Sequence, residues 1–426
     1  MRILPITNTD YRQRTNFGNK QTLVSGVIKN TAPNIGKTTA EIGGAVMVLA
    51  AITGAKAKAD NNIDDFQIRD LTDEEFEAKK AEILAKKDEF RPFRYLRDDM
   101  FTKWNVQLFD YMYQDCKGLT SDYPTHKDLE KENSLKLYDE YVRLLCDRKS
   151  RPQIETKDQA KVVLKMLKMP WFFGSDGDGD YAFALNNADY NIIGKKSAEI
   201  RNVKLKILDE LEKNREKYEK STYQQINNIS QMVADVTTYR GLNIALKMIR
   251  HPELLEADHC DLRVSDFFKE VSENKEQAKI ASDIIDKLIK NPELFKKEDF
   301  NHALTYMLTY PNNDYKKELV LNFLDNPALF DYEDFVYNMP GIISQFPSSN
   351  SIADSKIRKD VFETLQYYKQ HPELLKNQEP YKYPDFVYAL ISYCEPPDMD
   401  CPEWPTSHDV LDAIMENPEL FEDDDW

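Results

Sequence analysis

A ten-residue segment that returns along the C-terminal two thirds of the chain constrains the fold most. Residues 291–300 have the sequence NPELFKKEDF. Asn-Pro-Glu is typical of a helix start, because Asn caps, Pro presets φ at the first helical position and Glu suits the positive end of the helix dipole. Apolar residues recur at helical spacing on both sides of the segment. The sequence therefore predicts a unit made of helix A, a one-turn corner and helix B.

Further copies of this corner follow one another at distances of 35 to 46 residues. The clear copies share His or Asn, then Pro, then Leu at the fourth position, and they begin at His251, Asn291, Asn326, His371 and Asn417. Two fainter copies begin at Met169 and Asn214. A helix break is predicted at each of these positions. The leucines at the fourth position are predicted to be buried, and they are Leu254, Leu294, Leu329, Leu374 and Leu420.

An Asp-aromatic pair follows each clear corner and is predicted to open helix B. The pairs are Asp266-Phe267, Asp299-Phe300, Asp334-Phe335, Asp385-Phe386 and Asp425-Trp426. A drifting period of about forty residues with two helices per unit is typical of α-solenoids. Over roughly residues 156–426 the chain resembles the HEAT and armadillo class of helical repeat proteins. The resemblance is one of architecture, and it implies no particular functional residue.

The predicted fold is all-α, an α-solenoid with three regions along the chain. Residues 1–60 form a basic, largely disordered tail, residues 61–150 a helical cap, and residues 151–426 about seven helix-corner-helix repeats. The cap region contains a capping box at Thr72–Glu75, which opens a helix predicted to run to about Phe90. Two more helices are predicted around residues 101–112 and 135–145. Terminal repeats are usually atypical because they must close the core.

The N-terminal tail differs from the rest of the chain in charge and holds one apolar run. Residues 1–60 have a net charge of +5, from eight Lys or Arg and three acidic residues, whereas the whole chain has −17. Residues 42–55 are uncharged but too short to span a bilayer comfortably. Three interpretations stay open: an export signal cleaved near Ala55-Lys56-Ala57, a segment that docks on a membrane or partner, or a helix packed on the repeats.

An acidic segment between two predicted helices resembles a calcium loop in part. Asp176, Asp178 and Asp180 place carboxylates at alternate positions. An EF-hand loop counted from Asp176 would need Gly where Tyr181 stands and Glu where Asn187 stands. These departures exclude an EF-hand and favour a flexible insertion, although a weaker cation site of another kind stays open.

Two other patterns do not meet the requirements of the sites they resemble. Cys394, Cys401 and His408 lack the fourth ligand and the tight pair that structural zinc sites have, which favours two thiols in a Pro-rich loop. Residues 36–39 (GKTT) imitate the end of a phosphate-binding loop but lack its first Gly, because Thr31 stands there, and a preceding buried strand. The sequence therefore predicts no metal, no cofactor and no catalytic residue.

Charge and cysteine content limit the classes of partner. A net charge of −17 disfavours nucleic acid and anionic membranes, so membrane contact is expected only through residues 42–55. Five scattered Cys without a CxxC pair are typical of reduced thiols, which favours the cytoplasm over export without settling the compartment. The oligomeric state stays open.

The predicted function is that of a non-enzymatic scaffold that binds a protein or peptide along the groove of its repeats. One alternative is an exported or membrane-attached repeat protein that uses residues 42–55. A second alternative is an enzyme whose site lies between repeats and leaves no local motif.

The candidate partner-binding residues come from helical geometry. A residue two positions after the aromatic of helix B is rotated by about 200° and should point away from the core. The candidates at this position and along its strip are Lys269, His302, Tyr306, Tyr337 and Tyr388. Thr305 and Thr309 are predicted to continue the same exposed strip in the fourth repeat.

Overall fold

The structure is a computed structural model, and it describes residues 63–117, 129–146, 154–174, 197–256, 263–297, 300–331 and 333–372. Every regular element in these ranges is helical, with fourteen α-helices and seven short 3₁₀ helices, so the all-α class is confirmed for them. Several predicted features lie outside these ranges: the N-terminal tail, the acidic segment 176–180, the Cys394–His408 pattern, Tyr388 and the corner at Asn417.

Three α-helices lie in the region predicted to be a helical cap: α1 (Asp73–Ala85), α2 (Asn105–Asp115) and α3 (Leu129–Cys146). Thr72 and Glu75 form the predicted capping box of α1. The predicted end of this helix at Phe90 was wrong: the helix ends at Ala85, turns follow over residues 86–89, and a 3₁₀ helix that contains Pro92 begins at Arg91. The ring of Phe90 packs edge-on against the fully buried Phe93 at 4.7 Å.

The remaining α-helices in chain order are α4 (Lys157–Leu167), α5 (Pro170–Phe173), α6 (Ser197–Lys213), α7 (Tyr223–Asp235), α8 (Tyr239–Arg250), α9 (Arg263–Glu273), α10 (Lys275–Ile289), α11 (Phe300–Thr309), α12 (Asp314–Leu324), α13 (Glu333–Gln345) and α14 (Ile352–Gln370). The even-numbered helices from α4 to α14 are called the helix-A row. The helix-B row consists of α7, α9, α11 and α13.

Each long helix in these rows packs against the helix two places further along the chain. In the helix-A row α4 contacts α6, α6 contacts α8, and the pattern continues to α14. In the helix-B row α7 contacts α9, α9 contacts α11, and α11 contacts α13. Helices that follow each other, such as α8 and α9, also pack together. This pattern is compatible with a helical repeat architecture, in which contacts join neighbouring units.

The predicted helix breaks are confirmed at every corner within the described residues. Helices end within three residues of Met169, Asn214, His251, Asn291, Asn326 and His371. At the fourth of these corners the backbone of Asn291 has φ −121° and ψ 58°, outside the α-helical region of dihedral angles. A residue that precedes proline is disfavoured in the α-helical region, which explains this conformation. The Leu294 N–H then donates to the Asn291 carbonyl at 3.1 Å and closes a 3₁₀ turn.

The role predicted for the corner asparagine was wrong. Its side chain does not cap the following turn. Asn291 Nδ2 donates instead to the carbonyl of Lys287 at 3.0 Å, inside the helix that is ending. Asn326 donates in the same way to Asn322 at 3.2 Å, and to Leu365 of α14 at 3.1 Å. The physical reason is that the last carbonyls of a helix lack donors, and the following proline has no N–H to supply one.

Burial of the corner leucines is confirmed for the three that the structure describes. Leu254, Leu294 and Leu329 are at most 1% exposed, while Leu374 and Leu420 lie outside the described residues. The aromatic after the leucine reaches helix B of its own unit. Phe295 packs edge-on against Phe300 at 5.3 Å, and Phe330 against Phe335 at 5.7 Å.

The predicted starts of helix B hold for two of the three described pairs. Helix α11 begins at Phe300 and α13 at Glu333, next to the predicted Asp334. Helix α9 begins at Arg263, three residues before Asp266.

Candidate partner-binding surface

The structure places the predicted binding residues on successive helices of the helix-B row. Lys269 on α9 is exposed, and His302 and Tyr306 on α11 are half-buried. Tyr337 on α13 is 52% exposed, one of the few large hydrophobic side chains that are so accessible in the described part of the chain. Tyr388, the fifth candidate, lies outside the described residues.

Two of these residues meet across the boundary between repeats. The rings of His302 and Tyr337 lie 5.8 Å apart with an interplanar angle of 36°. On α11 Tyr306 makes an edge-on contact with Tyr310, also at 5.8 Å. One ring contact therefore joins α11 to α13, and a second lies within α11 and the residue that follows it. Lys269 belongs to α9, which packs on the other side of α11.

The prediction that Thr305 is exposed was wrong. Thr305 is only 6% exposed, and it lines a small internal void together with Leu254 and Phe267 of the preceding unit. Helix α11 packs against α9 as well as α10 and α13. Helical spacing within α11 gives the direction of the Thr305 side chain. It does not show that a neighbouring helix covers this side of α11.

The rings lie on two helices that carry little formal charge. Residues 300–313 and 335–353 contain no Asp, Glu, Lys or Arg, although 31% of the chain is charged. These two stretches include all of α11 and most of α13. Helix α9 is different, because it carries Lys269 and Glu270 among other charged residues.

Ion pairs between repeats concentrate on the other row. Successive helices of the helix-A row, with the residue that ends α12, are joined by Arg201–Asp158, Lys165–Asp209, Arg250–Glu210, Lys247–Asp286, Lys287–Asp325, Lys317–Asp283 and Lys369–Asp325. Charged side chains are thus used mainly where helix-A units meet. The uncharged face of α11 and α13 offers aromatic and amide groups instead.

A cleft of about 420 Å³ lies beside three successive corners. Its lining includes Lys217, Gln225, Glu256 and Phe295. Three of its polar side chains already join neighbouring corners: Lys217 donates to the Arg250 carbonyl at 2.6 Å, and Gln225 donates to Glu256 at 3.1 Å. We therefore interpret the polar groups of this cleft as structural contacts between corners and not as a binding site.

Perturbed titratable groups lie mainly inside the core or in ion pairs. Burial raises the pKa of the Cys116 thiol to about 12 and raises the pKa of Tyr138 and Tyr218. The Tyr138 hydroxyl donates to Asp115 at 2.9 Å, and the Tyr218 hydroxyl donates to the Ile249 carbonyl at 2.7 Å. These hydrogen bonds satisfy buried polar atoms and give the two tyrosines a structural role.

Sequence reasoning missed two buried lysines on the helix-A row. Lys204 is completely buried and donates to the Val233 and Ala234 carbonyls at 2.7 and 2.8 Å, at the end of α7. Lys316 donates to the Ser344 carbonyl at 2.8 Å near the end of α13, and burial lowers its pKa. Both cations cap the negative end of a helix-B dipole. Both lysines lie ten residues before a corner, Lys204 before Asn214 and Lys316 before Asn326.

In the described ranges no three His, Cys, Asp or Glu side chains are grouped as metal ligands would be. No helix of the same ranges is long and apolar enough to cross a lipid bilayer. Comparison of the chain with protein-family models, curated proteins and solved structures gives no match. No activity or partner can therefore be carried over from a relative.

Proposed function

We propose that the chain is a non-enzymatic scaffold that binds a protein or peptide along the helix-B row. The observation that carries the proposal is the contact of the His302 and Tyr337 rings, with Tyr306 one turn further along α11, on two helices that carry little formal charge. The few residues that supply most of the binding energy of a protein interface are enriched in Trp, Tyr and Arg. A face without charges also avoids the desolvation penalty that buried ions impose on binding.

The architecture that we propose for this scaffold is an α-solenoid of about seven repeats, of the kind found in the HEAT and armadillo class. Its support is the packing of each helix on the helix two places further along, together with corners repeated at 35 to 46 residues. Stacked repeats expose one row of helices as an extended surface, which suits a binding role better than an enclosed site.

A comparative pull-down tests the function. The full-length protein serves as bait, and its captured proteins are quantified by mass spectrometry beside those of the Tyr337→Ser/Tyr388→Ser variant. We expect the variant to lose specific partners while its melting temperature stays unchanged. The matched control is Tyr239→Ser, because Tyr239 is similarly exposed (44%) but lies on the helix-A row.

Two results would contradict the proposal. The first is retention of every captured partner by the double variant. The second is a fall of several degrees in its melting temperature with binding proportionately intact, which would show that the two tyrosines only pack against neighbouring repeats.

A further inference from the structure

The ring contact that joins α11 to α13 contains a histidine. The centroids of the His302 and Tyr337 rings lie 5.8 Å apart, with an interplanar angle of 36°. His302 is half-buried, whereas Tyr337 is exposed among the described residues. Imidazole exists in a neutral and a protonated form near physiological pH. The contact between these two helices therefore has two charge states.

His302 is the side chain of these two stretches whose charge changes near neutral pH. Residues 300–313 and 335–353 contain no Asp, Glu, Lys or Arg, and His302 is their only histidine. Their tyrosines keep the phenolic proton throughout this range, whereas a histidine ordinarily gains its proton between pH 8 and pH 5. Acidification therefore adds a positive charge beside Tyr337, in stretches that otherwise carry none.

The elements packed against α11 are α9, α10, α13 and the corner at residues 292–296, and none of them contains a histidine. Helix α9 carries Arg263, Asp266, Lys269, Glu270 and Glu273, and α13 begins with Glu333 and Asp334. Helix α10 carries Lys275, Glu276, Lys279, Asp283, Asp286 and Lys287, and the corner carries Glu293 and Lys296. Residues of these types ordinarily titrate outside the interval from pH 5.5 to pH 7.5. The charge change beside the ring contact therefore belongs to His302.

Protonation of His302 disfavours an uncharged partner in two ways. A neutral segment that covers the imidazolium removes its hydration and offers no ion pair, which costs binding free energy. In the free protein the Tyr337 ring stabilises a neighbouring cation, and a partner that binds the same ring competes with this interaction. Both effects favour the free protein at low pH.

We propose that protonation of His302 releases the partner from the helix-B row, so that the scaffold binds near neutral pH and dissociates below about pH 6. This inference rests on the proposed function, because it concerns the regulation of the same surface. It requires a partner segment that is uncharged where it covers His302.

The test uses peptides selected at pH 7.5 from a random phage-displayed library on the full-length protein. Peptides are kept if they contain no His and if Tyr337→Ser abolishes their binding. They are synthesised with a blocked N-terminus, so that their own charge stays constant. Fluorescence anisotropy measures their affinity at pH 7.5 and pH 5.5. We expect the wild-type protein to bind them about tenfold more weakly at pH 5.5.

His371→Gln is the matched control for this change in affinity. His371 is also half-buried and contacts a tyrosine ring, that of Tyr367, at 4.6 Å with an interplanar angle of 35°. This contact lies at the end of α14, in the helix-A row. The variant should therefore keep the tenfold difference between the two pH values.

A nuclear magnetic resonance titration assigns the effect to His302 itself. The full-length protein is prepared with isotope-labelled histidine, and the His302 ring signal is the one missing from the spectrum of His302→Gln. Its protonation is followed from pH 5 to pH 8 with and without saturating peptide. We expect bound peptide to move the midpoint of the His302 titration to lower pH. The His371 signal, identified with His371→Gln, should not respond to the peptide.

The outcomes separate this inference from the proposed function. Tyr337-dependent peptides that bind equally well or more tightly at pH 5.5 overturn the inference, and so does a His302 titration that bound peptide leaves unchanged. A pH effect that disappears in His371→Gln also overturns it. The scaffold function stands in all three cases. If no selected peptide depends on Tyr337, both proposals fail.

Discussion

The two cysteines in the described part of the chain occupy different environments. Cys116, at the end of α2, is only 3% exposed, and its pKa is raised to about 12 chiefly by burial and further by the Asp115 carboxylate. Cys146, at the end of α3, is partly exposed. Because the thiolate is the reactive form, these environments predict different reactivities.

Native alkylation at pH 8 should modify Cys146 while Cys116 stays protected. With a pKa of about 12, only about one Cys116 thiol in ten thousand is ionised at this pH. Peptide mapping by mass spectrometry after brief iodoacetamide treatment measures both sites, and denaturant should make both reactive. Equal native rates would show that Cys116 is not enclosed by the fold.

Substitution of the buried corner leucine Leu294 should strongly lower the stability of the protein. Leu294 is 1% exposed, and Leu294→Ala removes buried methyl groups and leaves a cavity, at a cost of about 2–5 kcal/mol in the free energy of unfolding. Urea denaturation followed by circular dichroism measures this change. Ile352→Ala is the control, because Ile352 is 90% exposed and should change the stability by less than about 0.5 kcal/mol. Similar values for both variants would exclude a structural role for the corner.

At the scale of the element, the corner works as the end of one helix more than as the start of the next. The Asn291 amide donates to the Lys287 carbonyl, and the Leu294 N–H closes the turn on the Asn291 carbonyl. True N-caps occur elsewhere, as at Thr222, whose hydroxyl accepts from the Gln225 N–H at 3.2 Å. The corner position at the end of a helix needs a side chain that donates a hydrogen bond, whereas an N-cap position needs a side chain that accepts one.

Substitution by aspartate distinguishes the two kinds of cap. Asn291→Asp should lower the stability by about 1 kcal/mol, because the carboxylate cannot donate and lies at the negative end of the α10 dipole. Thr222→Asp should be neutral or stabilising, since aspartate is a strong N-cap. Thermal unfolding at neutral pH compares the two variants. A neutral or stabilising Asn291→Asp would restore the N-cap role that the sequence predicted.

At the scale of the whole molecule, ion pairs along the helix-A row couple stability to pH. Arg250 on α8 donates to Glu210 on α6 at 2.7 Å, and this bond lowers the pKa of Glu210. A carboxylate whose pKa is lower in the folded state stabilises the protein above its unfolded pKa. That stability is lost as the pH falls through the folded value.

The melting temperature should therefore fall between about pH 5 and pH 3, and less steeply in Glu210→Gln than in the wild-type protein. Arg250→Ala should flatten the curve similarly. Arg240→Ala serves as the control, because Arg240 donates to the Glu273 carbonyl, which does not titrate. Parallel curves for the wild-type protein and Glu210→Gln would show that this pair does not couple the two repeats.

The sequence by itself determined where the helices end at the corners and which corner residues are buried. Proline acts locally, through its missing N–H and the restriction it places on the residue before it, so breaks such as that at His251 require no tertiary information. The leucines follow from periodicity for the same reason. The helix-B positions of His302 and Tyr337 are also predictable from helical spacing.

Only the tertiary structure decided the features that depend on contacts between helices distant in the sequence. It buries Thr305 under the preceding unit and brings His302 to Tyr337 across 35 residues of chain. The turn of one helix gives the direction of a side chain, but the neighbouring helices determine whether that direction leads into the core or to solvent.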